Sequence, residues 1–229
     1  MKKSNIIPFP IFYFVLITVS FWIISCNPIK NSNSQEGIIE FDTKGVDENH
    51  PLYSLAPNSA SLKFKNEKFT LEMSVMGLFN TSIIGNIKTK TLVQTVKFMN
   101  INQACIENEA DITKSNLDYP IKILETNETK EILGLKCYKA KVTKLNQPSE
   151  SFDIWYTKEL GLENCNNLTV YAPIKGMLLD YRIQKMGMEL HFKASSYKPE
   201  KLTDNIFEIP ASMKIISIKE MTDFITEIQ

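Results

Sequence analysis

Near the amino terminus, Ile23-Ile24-Ser25-Cys26 carries the one spacing in this chain that matches a known covalent chemistry. A branched apolar residue three places before a cysteine, with a small residue just before it, is the pattern of a bacterial lipoprotein signal. The cysteine thiolate takes a diacylglyceryl group, and the small Ser25 leaves a peptidase access to the bond. The apolar run Ile11–Ile24 that leads into it is too short for a spanning helix, which needs about 20 residues, and fits the ~7–15 of a signal core. The expectation is a signal peptide over residues 1–25, a lipidated Cys26, and an Asn- and Ser-rich tether over residues 26–36. Two or three acyl chains anchor a protein far better than one, which predicts stable membrane attachment. Asn27, with no acidic residue close behind it, points to the periplasmic face of the outer membrane.

Other chemistry is sparse. The chain holds 2 histidines: His50 precedes a proline in a loop, and His191 falls beside Glu189 and Lys193 on the polar side of a strand. Neither has the partners that a general base needs. No G-x-S-x-G, H-E-x-x-H or glycine-rich phosphate loop occurs. With Cys26 lipidated, Cys105, Cys137 and Cys165 remain, so at most one disulfide forms and three pairings stay open. There is no C-x-x-C, and buried thiols in a strand-rich core are the plainer reading. The 9 methionines are concentrated in strands, Met73, Met99, Met186 and Met188 among them. Thioethers suit Cu(I), but Met73 and Met188 share the apolar faces of their strands, as core residues do. No catalysis, no cofactor and no metal is expected. The 26 bases and 26 acids balance, which excludes a nucleic-acid footprint.

The elements that must position any site are strands. Residues alternate cleanly in Lys68–Met76, in Lys130–Thr157 on either side of a polar loop, and in Met177–Ile183 and Met188–Ala194. Asn127-Glu128-Thr129 reads as a turn, Thr91–Ile106 as one strand bent near Met99–Asn102, and Leu160–Pro173 as turn-rich connection. At the end the period changes: Ile218, Met221, Phe224 or Ile225, and Ile228 take helical spacing, with Ser217 and Glu220 placed as a capping box, which predicts a helix over about Ile218–Glu227. The fold class is therefore mainly β: a curved antiparallel sheet over residues 37–210 and a short C-terminal helix within residues 211–229. Every clean strand is apolar on one face, and a sheet must bury that face. A curled half-barrel does so, either around an apolar concavity or with its interior filled.

Gly134-Leu135-Lys136-Cys137-Tyr138-Lys139-Ala140, Trp155-Tyr156-Thr157, Ile174-Lys175-Gly176 and Phe207-Glu208-Ile209-Pro210 together resemble a family of bacterial envelope lipoproteins of unknown function, similar to GLPGLI-type proteins. The resemblance implies a half-barrel like that of the LolA-like periplasmic lipoprotein carriers. The expected function is then a membrane-anchored lipoprotein that holds a lipid or other hydrophobic ligand in its concave face. Met73, Val75, Leu179, Tyr181, Met188, Leu190 and Phe192 are its expected lining. The alternative is an interaction lipoprotein that docks an envelope partner through its sheet surface or C-terminal helix.

Overall fold

The computed structural model describes residues 35–227 except 76, 78 and 186. The expected signal peptide, the Cys26 lipidation site and nearly all of the tether lie outside the described residues. Twelve strands form one sheet. They are β1 (Glu36–Gly45), β2 (Ser59–Lys65), β3 (Lys68–Val75), β4 (Phe79–Asn86), β5 (Thr91–Phe98), β6 (Ile101–Glu107), β7 (Ile121–Ile132), β8 (Leu135–Lys144), β9 (Ser151–Thr157), β10 (Met177–Lys185), β11 (Met188–Lys198) and β12 (Lys214–Ile215). Helix α1 (Glu109–Asn116) follows β6, and α2 (Ile218–Glu227) ends the described chain. The mainly β, open curved sheet expected from the alternation is the fold observed, with α2 at the residues the helical spacing marked out.

The sheet runs β12-β6-β5-β4-β3-β2-β1-β11-β10-β9-β8-β7. Two antiparallel meanders, β1–β6 and β7–β11, are joined where β1 pairs with β11. This order forces the curl. β6 and β7 are ten strand steps apart, about 48 Å across a flat sheet at ~4.8 Å per step. The connection between them is α1 with a few extended residues, a reach of only about 30 Å. The two arms must therefore bend towards each other.

Local differences from the sequence reading have local causes. Asn127–Thr129 lies inside β7, at an irregularity between Glu125 and Thr129, and is not a turn. The turn is Leu133-Gly134, where both residues take positive φ (54° and 77°), as a tight two-residue hairpin of matching twist requires. Thr91–Ile106 is two strands, because Met99 adopts φ 53° and Phe98 pairs with Ile101 across a two-residue turn. A polar triplet imitates a turn and a methionine hides one.

The inner face carries the main core. Phe41, Tyr181 and Phe192 pack as an aromatic group, with Tyr181 stacked on Phe192 at 5.1 Å between centroids and Phe41 edge-on to both. The connection between β9 and β10 folds over this face. Its Leu160, Leu162, Leu168, Tyr171 and Ile174 are buried, and Asn166 donates to the carbonyls of Ile174 and Gly176. Tyr171 completes the plug by donating from its hydroxyl to the Arg182 carbonyl. After β11 the chain wraps the β6 end of the sheet. Phe207 and Met213 cover Ile84, Val93 and Ala104 on the outer face, β12 pairs with β6 in parallel, and Met221 of α2 packs on Val75, Phe79, Val96 and Cys105 of the inner face.

Candidate functional site

The expected apolar lining does not surround a cavity. Leu179, Leu190 and Phe192 are fully buried, and Met73, Tyr181 and Met188 belong to the same main core. Val75 is elsewhere, in the cluster beneath α2. The apolar space left is about 90 Å³, bounded by Leu62, Phe69, Leu71, Leu92 and Tyr181 among others. That volume suits a few waters and not an acyl chain. The β9–β10 plug takes the room a ligand would have needed.

A polar cleft lies instead at the end of the sheet where β6, β8 and β10 finish and β11 begins, under the α1 connection. It comprises a recess of about 270 Å³ and an outer chamber of about 440 Å³, which share Asp118, Tyr119, Gln184 and Gly187. The chamber is built around Lys144, at the end of β8. Its ammonium meets Glu189 Oε2 at 2.5 Å and Glu150 Oε1 at 2.8 Å. Tyr119 donates its hydroxyl to Glu189 Oε1 at 2.7 Å, tying the α1 connection to β11. Burial pushes the Tyr119 phenol far up, and its bond to Glu189 pushes it further. Burial pulls Lys144 down, but the two carboxylates outweigh it and leave the ammonium above the usual lysine range.

The recess holds a different pair. Alternation along β10 puts Lys185 on the inner side with Tyr181 and Ile183, and Glu107 ends β6 on the side of Cys105. Both line the recess with Gln94, Thr81 and Tyr119. Burial raises the Glu107 carboxyl, partly offset by Lys185, with Asp111 adding to the rise. Burial lowers Lys185, partly offset by Glu107. Each group is thus pushed towards its neutral form. A carboxyl and an amine, each shifted towards its neutral form, line one small polar space, which makes it a candidate functional site.

These residues were not singled out in the sequence. The available signal was a lysine, Lys185, on the apolar side of an otherwise clean strand. His191 is on the outer face and pairs with Asp180 at 2.7 Å, outside the cleft. His50 Nδ1 accepts from the Leu52 amide in the loop after β1 and borders the chamber. Trp155 is on the outer face of β9, with the Lys130 ammonium 4.0 Å from its ring. Cys105, Cys137 and Cys165 are all free. Among the described residues, no group of three or more His, Cys, Asp or Glu is arranged to hold a metal.

Residues 60–173 match a family model described as the N-terminal domain of an N-glycanase peptide. A solved structure of PNGF-II, crystallised in space group C2, aligns with a TM-score of 0.52 at 18% identity, covering 83% of this chain and 33% of that one. The chain thus spans about a third of that neighbour, and at this identity the likeness concerns the fold. No curated protein matches. These findings correct three expectations. The likeness to GLPGLI-type and LolA-like lipoproteins gives way to a likeness to an N-glycanase domain. The envelope lipoprotein that binds a lipid, or docks a partner by its sheet or helix, loses its support with it. The expectation of no enzyme is corrected too, since the family model that matches is described as an N-glycanase domain. The turn and strand residues behind the first resemblance are those of any curved antiparallel sheet, which is why they misled.

Proposed function

We propose that this chain acts in the processing of N-linked glycans, as a glycanase-type β domain whose end cleft engages the polar linkage region of a glycopeptide. The observation that carries the reading is the half-buried Glu107–Lys185 recess, beside which residues 60–173 match an N-glycanase model. A glycan-bearing amide offers a carbonyl acceptor and an N–H donor. The recess offers a carboxyl held towards neutrality, an amine and the Gln94 amide, while the chamber beside it admits attached sugar. Any acid–base chemistry within this chain would turn on Glu107 and Lys185, because Lys144 is already neutralised by two carboxylates. The amino-terminal apolar run supports an exported chain.

The test incubates the full chain with an N-glycosylated peptide and reads both glycan release and retained glycopeptide by mass spectrometry. Release or binding is expected from the parent chain, and at least a tenfold loss from Glu107→Gln and from Lys185→Met. A parent chain that neither binds nor cleaves, or two variants that behave like the parent, would remove the cleft from consideration.

A further inference from the structure

A further recess is on the other side of the sheet from the cleft. It is a groove of about 500 Å³ between the outer face of β1–β5 and the segment Leu202–Met213. That segment is fastened as a wall: Thr70 donates to the Ile206 carbonyl at 2.9 Å, Lys65 to the Leu202 carbonyl at 2.8 Å, and Phe207 and Met213 pack over Ile84 and Val93. The floor beside it is not an ordinary wet sheet face. Strand register aligns Glu40, Ser61, Glu72, Ser82 and Thr95 in one row across five strands. A second row, Ser59, Ser74, Asn80 and Lys97, runs alongside on the next outward positions. Every one of these residues lines the groove. Apart from the two carboxylates and Lys97 the side chains are short, so the space above them stays open. Ile84, Met213 and Pro210 supply apolar patches at the wall.

We propose that this groove is a binding site for a neutral oligosaccharide. Hydroxyls, an amide and carboxylates at regular strand spacing offer donors and acceptors in the mixture that sugar hydroxyls require, and the apolar wall suits the C–H face of a ring. The charges argue against other ligands. Glu40 and Glu208 repel phosphate and nucleic acid, and among the described lining residues Lys97 is the one cation. Lys63, on the same face of β2, is held by Glu72 at 2.7 Å. The wall is too small an apolar surface for a lipid. This inference does not rest on the cleft: the groove is on the opposite face and could recognise glycan whether or not the cleft engages its linkage.

The experiment applies the full chain to a microarray of neutral oligosaccharides, then titrates the best-retained glycan by calorimetry. Ser74→Ala/Asn80→Ala removes two groups that face the groove without supporting the core. It is expected to weaken binding at least tenfold with an unchanged Tm, while Lys141→Ala, at an exposed position of β8 outside both the groove and the cleft, stays within twofold of the parent. An array with no retained glycan, or one that binds peptide controls equally well, overturns the proposal. So does binding that survives the double variant, or that falls as far in Lys141→Ala.

Discussion

Cys105, Cys137 and Cys165 occupy sites where burial pushes the thiols to about 11, about 11 and about 12, with Glu107 adding to the rise at Cys105. At pH 8 the thiolate fraction of each is then on the order of one in a thousand or less. Treatment of the folded full chain with a thiol reagent at pH 8 should therefore spare these three cysteines, and denaturation should expose all of them; mass mapping of labelled peptides reads both states. The sign of the linked stability follows. An unfolded thiol ionises near 9, so the unfolded state loses its proton first. The contribution of each thiol is complete below about pH 9 and falls by about 1.4 kcal/mol per pH unit as pH rises towards the folded value. Urea midpoints measured from pH 8 to 10.5 should decline, and more slowly in Cys137→Ala. At this scale the sequence was half legible. Alternation put Met73, Leu179, Leu190 and Phe192 inside, yet it could not show that Glu107 and Lys185, on different arms, face one recess.

The elements obey rules that a single chain can display, provided the signal is local. Ser217 and Glu220 cap α2 reciprocally: Glu220 Oε2 accepts from the Ser217 amide at 2.7 Å, and the Glu220 amide donates to Ser217 Oγ. The same device opens α1, where Asn108 accepts from the Ala110 and Asp111 amides. Asn108→Ala should cost about 1 kcal/mol in chemical denaturation. Met221→Ala, which empties the 2%-exposed contact between α2 and the sheet, should cost about 2–5 kcal/mol. Gly176→Ala should be worse than the cap variant, because a Cβ there would stand 2.4 Å from the Thr157 carbonyl oxygen at φ +149°. The β9–β10 plug was illegible for the opposite reason. Its turns are visible, but its burial depends on the curvature of strands far away in sequence.

For the whole molecule, curvature follows from a short α1 connection between strands at opposite ends of the sheet order, and closure of the interior follows from the plug. What the arms leave open is one long edge. β7 is twelve residues long, pairs among the described residues only with β8, and is mostly exposed. Lys122, Glu125, Glu128 and Lys130 line it with charge, which discourages strand addition. At the other end β12 already occupies Gln103 and Ala104 of β6. Chains with two open edges can add to each other indefinitely, whereas a chain with one can only meet a second copy by its own edge and then has none left. Lys122→Val/Lys130→Val is accordingly expected to double the mass in light scattering and to go no further; fibrils or a mass that climbs with concentration would show that the β6 end is open as well. The clasp of chain over part of β6 is thus expected to act as a terminator, which would set two as the limit of strand-to-strand assembly.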